Sequence, residues 1–525
     1  MSLLKNVGTI GGLTMVSRVF GFARDIMLAR VLGAGGMADA WQLAFQLPNI
    51  FRRLFAEGAF ASAFIPLFNR HMTDGDNQSE ARRFASEVCA VLLPILVAFG
   101  AVMMIAMPWV LMAFASEELR ANDVNYDLAV TMGRIAFPYL LFMSLATLTA
   151  AVLNSLSRFA AAAAAPILLN ICLIAALTWG AMQSDSDTTR QTTGLLLAVA
   201  VSTSGFLQLA WLTFWMRRSG FRIAFQRPKM TDDVKQLGVL IIPAVFGAGV
   251  YQISRFLDLF FLGTLPDKSI TYLAMADRWN QLPLGIIGIA LGTAILPALS
   301  RFIASEDKDG AFRLQSNAVE LAMLLTVPCA VALYITGSAF TRVFFMGGAF
   351  TLEDALVTGS VVSGLVIGLP AYVLVKVLTP NFFARKDTRT PVYTAAASLL
   401  ITVGLNIYFI YWLDMGVISL AIAGAIGAWC NVALLYAILA QRGFFVLTAQ
   451  VISRLLRIMV AAGIMGAALY WAMPYADPYF TGSFAERGGA IAAIMGIGAV
   501  VYGIAAFALR VLDRDTIGRL MRRQG

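Results

Sequence analysis

Apolar stretches of about 20 residues recur along the whole chain, and this pattern constrains its fold more than any other feature. A helix needs about 20 apolar residues to cross a hydrocarbon core about 30 Å thick. The stretches are rich in Ala, Gly and Leu and lack the two-residue alternation of membrane β-barrels. Charged residues make up only 13% of the 525 residues, against about 25% in a typical soluble domain. The sequence therefore predicts an all-α polytopic membrane protein.

About fourteen transmembrane helices are predicted, joined by short connections that leave no room for a sizeable extramembrane domain. Their approximate bounds are 5–33, 40–68, 84–114, 128–157, 160–182, 193–216, 236–264, 270–300, 314–338, 355–384, 391–413, 416–440, 452–473 and 488–510.

Lys and Arg are distributed unevenly between the two sides of these spans. The N-terminus, the loops after even-numbered spans and the C-terminal tail carry 25 of the 39 cations, the other loops carry 5, and 9 lie within spans. Because Lys and Arg concentrate in cytoplasmic loops, both termini are predicted to be cytoplasmic. The net charge of +9 then serves topology, and no nucleic acid partner is expected.

Two sequence similarities lie six spans apart. Residues 46–66 of the second span resemble 281–297 of the eighth, and 138–166, at the fourth span, resemble 370–391, at the tenth. Transporters built from internal repeats place the substrate site between the two repeats. We therefore expect two six-helix lobes, followed by two extra transmembrane helices and a basic cytoplasmic tail. The predicted bounds are 1–220, 221–445 and 446–525.

Charged residues inside the spans are the strongest functional signal. A charge at the bilayer centre costs about 2.5–3.5 kcal/mol on insertion scales, so it is rare unless it faces a cavity. The cations within spans are Arg18, Arg24, Arg30, Arg52, Arg53, Arg134, Arg255, Arg278 and Lys376, and their acidic companions are Asp25, Asp39, Glu57, Asp258 and Asp277. For Arg18, Arg24 and Arg278 two interpretations stand: structural ion pairs, or a cavity in which planar guanidinium groups bind a diphosphate.

Common enzyme chemistries find no support in the sequence. The single histidine, His71, and four cysteines inside apolar spans provide neither a zinc site nor a Ser-His-Asp triad, and no G-x-x-x-x-G-K-[ST] loop is present. A membrane glycosyltransferase or ligase would need catalytic groups in a substantial loop, and the loops are short. We therefore predict a transporter and not an enzyme.

Several motifs resemble one transporter family over essentially the whole chain. They are 17–25, 33–34, 39, 47–60, 276–278, 291–297, 375–380, 385 and 390–391. They closely resemble the MurJ (MviN) lipid II flippases of the MOP exporter superfamily. The resemblance implies two six-helix lobes in a V, alternating access and two extra helices, in a bacterial inner membrane. It also implies a substrate, the undecaprenyl-diphosphate-linked peptidoglycan precursor (lipid II), moved to the periplasmic leaflet, and the cell-wall synthesis machinery as a candidate partner.

The resemblance assigns roles to the charges within spans. Arg18, Arg24 and Arg278 match arginines that hold the diphosphate and sugar head group, with Asp277 beside Arg278. Lys376 matches a cavity lysine, and the supporting polar positions are Asp25, Asp39, Arg52, Arg53 and Glu57. Arg53 and Glu57, four residues apart, are also spaced for a simple intrahelical pair. Gln281 stands where some members carry an acid, which puts any gating role of that acid in doubt.

Alternatives remain at this point. The same fold serves exporters of other anionic substrates, such as other lipid-linked saccharides, and drug antiporters, although five cations in the first two spans argue against cationic drugs. Small residues in the last two spans suit either close helix packing or a groove for the polyprenyl tail. The driving force is open between membrane potential, sodium and protons. Asp258 is either a partner of Arg255 or, with Asn406, a sodium ligand, although a second acid expected near Asn406 is absent.

Overall fold

The computed structural model describes residues 3–55, 59–73 and 78–511, and their regular secondary structure is helical apart from a β-bridge between Gly347 and Phe350. The α-helices are Leu3–Leu32 (α1), Gly36–Phe55 (α2), Ala59–Thr73 (α3), Ser79–Met112 (α4), Glu117–Ala121 (α5), Asp123–Ala136 (α6), Pro138–Ser155 (α7), Phe159–Ala181 (α8), Asp187–Arg218 (α9), Asp232–Leu262 (α10), Ser269–Pro283 (α11), Ile289–Ala304 (α12), Lys308–Phe344 (α13), Leu352–Ile367 (α14), Leu369–Ala384 (α15), Arg389–Tyr411 (α16), Ile418–Gln441 (α17), Ala449–Ala476 (α18) and Phe484–Ala508 (α19).

Eleven helical segments of the described ranges are long and apolar enough to cross a membrane. They account for all the predicted spans except the first, second and seventh, which correspond to α1, to α2 with α3, and to α10. The expectation of an all-helical polytopic protein is confirmed. The count of fourteen transmembrane helices stays a prediction.

Three of the predicted spans are interrupted within the residues that the structure describes. The fourth is broken between α6 and α7 at Pro138, and the tenth between α14 and α15 at Gly368, two residues before Pro370. In the eighth, a π-helical turn at Leu284–Gly288 follows Pro283. Proline lacks a backbone N–H and disrupts the preceding turn. The fourth and tenth spans are thus both interrupted near a proline, and their internal repeat stays a prediction.

The chain forms two compact units, Met1–Thr271 with Gly347–Phe350, and Tyr272–Met346 with Thr351–Gly525. In the first unit, stacked rings of Phe60, Phe64 and Phe84 lie 5.4–5.5 Å apart at the centre of a buried cluster. In the second, Leu299, Val377 and Phe382 belong to a cluster that joins α12, α13, α15 and α17. The predicted lobe boundary near residue 220 stays a prediction, since compact packing and lobe membership divide a chain by different criteria.

Within the first unit, the segment Gly347–Phe350 packs on the C-terminal end of α1. The amide of Ala349 donates to the Arg30 carbonyl at 2.8 Å. Gly33 and Gly348 have φ of +70° and +57°, a region that favours glycine. A Cβ on Gly33 would lie 2.5 Å from the Ala349 carbonyl oxygen, and one on Gly348 would overlap the Arg30 carbonyl oxygen. Backbone therefore meets backbone here without room for a side chain.

Candidate functional site

Arg24 lies at the centre of a polar network between α1 and α8. Its Nε and Nη2 donate to Oδ1 of Asp25 at 3.0 and 2.7 Å, and its Nη1 donates to Oδ1 of Asn170 at 3.0 Å. Nδ2 of Asn170 donates in turn to the Ser17 carbonyl oxygen at 3.0 Å. The side chains of Arg24 and Asp25 are 14% and 6% exposed. The guanidinium is thus fixed from two sides before any ligand arrives.

The network leaves part of the Arg24 guanidinium available. An arginine carries five N–H groups, and three of them are bonded to Asp25 and Asn170. The other two have no partner among the described residues. Such a preorganised guanidinium can donate to two oxygens of a phosphate, and Asp25 already balances part of its charge.

Arg18 lies two turns before Asp25 and therefore on the same face of α1. Because Arg24 folds back to Asp25, its guanidinium is turned towards that face as well. Arg18 is half-buried and forms no hydrogen bond or ion pair with any residue that the structure describes. A cation on a predicted membrane helix, without a partner among the described residues, is the type of group expected to bind an anion.

Arg278 lies on α11 in the second compact unit. Its neighbour Trp279 is buried against rings of α13, with centroids 4.9 and 5.3 Å from those of Phe340 and Phe344. Successive helix residues point about 100° apart, so this packing leaves Arg278 half-buried at the edge of the contact. Arg18 and Arg278 belong to different compact units.

Asp277 and Gln281 are one turn apart on α11 and are directly bonded. The amide Nε2 of Gln281 donates to Oδ2 of Asp277 at 2.5 Å. An acid at position 281 would place a second carboxylate there and repel Asp277. The departure from the family pattern therefore gives Asp277 a neutral partner.

Lys376 lies on α15, exposed and without a hydrogen bond or ion pair to the described residues. Its stem passes the π-helical turn, because a Cβ on Gly288 would come within 3.2 Å of its Cδ. Like Arg18, Lys376 is thus a cation without a hydrogen-bond or ion-pair partner among the described residues.

Of the other supporting positions, Asp39, Arg52 and Arg53 differ in burial and in hydrogen bonding. Asp39 is buried, and its Oδ1 accepts from the amide and hydroxyl of Thr271 at 2.8 and 2.5 Å, at the N-terminus of α11, where a carboxylate is favourable. Arg52 donates from Nε to Oδ1 of Asn49 at 3.0 Å, whereas Arg53 is exposed. Glu57 lies outside the described residues, so its pairing with Arg53 stays a prediction.

Asp258 and Asn406, the candidate sodium ligands, lie in different compact units. Asp258 is half-buried on α10. Asn406 is buried on α16, and its Oδ1 accepts no hydrogen bond from the described residues. Those residues contain no group of three or more His, Cys, Asp or Glu side chains that could hold a metal ion. The sodium site therefore stays a prediction.

Asn170 is the member of the Arg24 network that sequence reasoning missed. It lies near the middle of the apolar helix α8 and is buried. Charges are the costliest groups in a span, but an amide buried in a helix of Ala, Leu and Ile also needs a hydrogen-bond partner. An Asn in such a span was the available signal.

Comparison with known proteins places the chain in one family. The family model described as "Lipid II flippase MurJ" matches residues 28–488. The "Probable lipid II flippase MurJ" of Rhizobium meliloti (strain 1021) is 38% identical over 522 residues, covering 98% of this chain and 96% of that protein. The "Lipid II flippase MurJ" of Burkholderia cenocepacia is 30% identical over 480 residues, covering 90% of each.

Solved structures share the fold. A structure of "Lipid II flippase MurJ, inward closed conformation" superimposes with a TM-score of 0.76 at 24% identity, over 95% of this chain and 98% of that one. An inward-facing multidrug resistance MATE family transporter of the MOP superfamily gives a TM-score of 0.67 at 12% identity, over 83% and 97%. These likenesses establish a MOP-type helical fold.

Proposed function

Because the chain belongs to the lipid II flippase MurJ family, we propose that it moves lipid II across the membrane by alternating access. The family and the MOP-type fold expected from the sequence are both confirmed. The finer assignments are proposals: an undecaprenyl-diphosphate-linked precursor, carried from the cytoplasmic to the periplasmic leaflet of a bacterial inner membrane. The chain acts in this proposal as a transporter and not as an enzyme.

The observation that carries the proposal is the preorganised guanidinium of Arg24. A lipid-linked precursor presents a diphosphate between its sugar and its apolar tail, and a diphosphate crossing a membrane needs charge-assisted donors in a region of low dielectric. Arg24, held by Asp25 and Asn170, offers two further N–H donors, and Arg18, on the same helix, has no hydrogen-bond or ion-pair partner among the described residues; in the other unit, Lys376 has none either. The same groups disfavour a cationic drug, although MATE transporters share the fold.

The decisive test is the accessibility of the precursor on the outer leaflet. In cells depleted of this protein, lipid II labelled in its head group should accumulate out of reach of a water-soluble periplasmic probe, while its total amount stays constant or rises. Re-expression should restore accessibility. Unchanged accessibility after depletion, in a strain without a second flippase, would contradict the proposal.

A second candidate is a flippase for another polyprenyl-diphosphate-linked saccharide. The Arg24 network offers donors for a diphosphate and no contact that is specific for one sugar, so it fits this substrate class as well. Depletion separates the two, because only lipid II flipping predicts arrest of peptidoglycan synthesis. Contacts with cell-wall synthesis enzymes remain a proposal for co-purification experiments.

Both termini are proposed to be cytoplasmic. Single cysteines at exposed positions should then react with a membrane-impermeant reagent from the predicted side only. Tyr479 suits this purpose better than the nearby Asp477, because Asp477 pairs with Arg342 at 2.5 Å. Cytoplasmic labelling is expected at Ser79, Lys229 and Lys308, and periplasmic labelling at Asp123, Asp187 and Tyr479. A reversed reporter would require a different number of spans.

Sodium dependence is a separate proposal, with Asp258 as the residue through which the ion acts. Hard cations prefer oxygen ligands, and a carboxylate inside a span must pair, protonate or bind a cation. In vesicles at fixed membrane potential, an imposed sodium gradient should change the transport rate of the wild type and not of Asp258→Asn. If neither rate responds to sodium and the variant transports like wild type, Asp258 serves only as a partner of Arg255.

A further inference from the structure

A strongly basic segment without helix or strand joins α9 to α10. We call residues 219–231 the connector. Together with the last two residues of α9 it carries five cations and no acid: Arg217, Arg218, Arg222, Arg227 and Lys229. The connector follows immediately on Asp187–Arg218, one of the helices apolar enough to span a membrane. Its covalent attachment therefore places it at a membrane–water interface.

The first tether of the connector is aromatic. Phe221 is buried, with its ring centroid 5.6 Å from that of Phe68. The guanidinium of Arg82 lies 5.7 Å from the Phe221 centroid, and its Nη2 donates to the Gly220 carbonyl oxygen at 2.6 Å. A cation over a ring and a buried aromatic fix this end of the connector to α4 and α3.

Two hydrogen bonds tether the rest of the connector to α4. The Ala224 amide donates to Oγ of Ser86 at 2.9 Å, and the hydroxyl of Thr231 donates to Oε2 of Glu87 at 2.8 Å. Ser86 and Glu87 are adjacent and buried. A segment without secondary structure is thus held in place at three points, at a cost in chain entropy that a solvated linker would not incur.

Between its tethers the connector displays an apolar ring among cations. Phe225 is 91% exposed and Met230 is 61% exposed. Arg222, Arg227 and Lys229 are exposed on either side of them. Large apolar side chains are unfavourable in water in proportion to their exposed area, whereas apolar side chains beside Lys and Arg suit the boundary between headgroups and acyl chains.

We propose that the connector binds anionic phospholipid in the leaflet that it faces. Arg222, Arg227 and Lys229 pair with lipid phosphates, and Phe225 enters the boundary between headgroups and acyl chains. Four or more cations beside a membrane span are typical of binding to anionic lipid. The role of these cations in topology explains their number and sign, but it explains neither the exposed Phe225 nor the three tethers. This binding is independent of the lipid II proposal.

The test uses the full-length protein in lipid nanodiscs. Phe225→Cys is labelled with an environment-sensitive fluorophore through a water-soluble maleimide, and the wild type, whose four cysteines lie within apolar helices, provides the blank. In discs of phosphatidylcholine with phosphatidylglycerol, the label should be quenched by headgroup-spin-labelled lipid and protected from aqueous iodide. In discs of phosphatidylcholine alone, the label should escape quenching by headgroup-spin-labelled lipid and should be quenched by aqueous iodide.

A matched pair of charge variants isolates the cations. Arg222→Gln, Arg227→Gln and Lys229→Gln together should lower binding to the anionic surface by about a hundredfold, the loss expected for three charges. The control variant loses the same number of charges at exposed residues of α12 and α13, namely Arg301, Lys308 and Arg313, and its quenching should not change. Equal iodide quenching in both lipids would overturn the proposal. Protection found only in native membranes, and absent in anionic discs, would identify a protein occupant and overturn it as well.

Discussion

Replacing Arg24 by alanine is expected to abolish growth support and to lower lipid II translocation by about a hundredfold or more. Truncating one partner of a desolvated, hydrogen-bonded charge pair costs about 2–5 kcal/mol, which is about thirtyfold to several thousandfold in affinity. The variant should still reach the membrane, because removing a charge from α1 lowers its insertion cost. The measurements are complementation of a depletion strain, outer-leaflet accessibility of the precursor, and protein level in isolated membranes.

Arg24→Lys separates the guanidinium geometry from its charge. One ammonium group lacks the planar fork that bonds Asp25 and Asn170 together while leaving two donors for a ligand. We expect partial activity from this variant. Arg18→Ala and Arg278→Ala are expected to fail as Arg24→Ala does. Full complementation by all three alanine variants would show that the arginines do not form a substrate site.

Asn170→Leu tests whether the position of the Arg24 guanidinium matters, apart from its charge. The change makes α8 more apolar, so insertion should not suffer, but Nη1 of Arg24 loses its acceptor and Ser17 loses its donor. We expect the concentration of precursor needed for half-maximal transport to rise more than the maximal rate falls. Thr178→Leu is the matched control on α8, because the hydroxyl of Thr178 bonds only the Ile174 carbonyl of its own helix. Equal behaviour of both variants would assign Asn170 a packing role.

The sequence predicts the helical rods better than their interruptions. Mean hydropathy over about 20 residues identifies α4, α8 and α13 directly. A helix that crosses the hydrocarbon core must be apolar over about that length. Prolines do not locate the breaks: Pro94 and Pro166 lie inside continuous helices, whereas Pro138 begins a new one. Neighbouring helices can satisfy the backbone groups that a proline frees, so the outcome depends on tertiary packing.

The candidate site is predictable in its charges and not in its pairing. Arg24 and Asp25 are adjacent, so a helical projection separates them by about 100°, yet the long arginine side chain folds back and bonds the carboxylate twice. Asn170 joins them from 146 residues away along the chain. Likewise Asp39 meets Thr271 across 232 residues. No local pattern encodes such contacts, because helix packing brings the groups together.

Replacing Gly348 by alanine is expected to lower the free energy of unfolding by about 3 kcal/mol or more. A positive φ costs a residue other than glycine about 1–2 kcal/mol, and losing a half-buried backbone hydrogen bond costs about 1 kcal/mol or more. Here the new Cβ would overlap the Arg30 carbonyl oxygen, the acceptor of the Ala349 amide. Denaturant unfolding of the purified protein measures the loss, and hydrogen exchange at Ala349 reports the local contact. Gly33→Ala should act in the same direction.

Gly416→Ala is the matched control, since Gly416 has nearly the same backbone, with φ of +59° against +57°, but nothing within 4 Å of its Cβ position. It carries the conformational cost alone. The difference between the two variants therefore measures the contact of Gly347–Phe350 with the end of α1. The Arg30 carbonyl oxygen belongs to the last turn of a 30-residue helix, so it cannot move aside without disturbing the buried residues Leu28 and Leu32. If backbone contact holds this segment in place, Gly348→Ala lowers the free energy of unfolding strongly and Gly416→Ala lowers it only slightly. Equal losses would mean that the segment tolerates a side chain and that its glycines serve the turn alone.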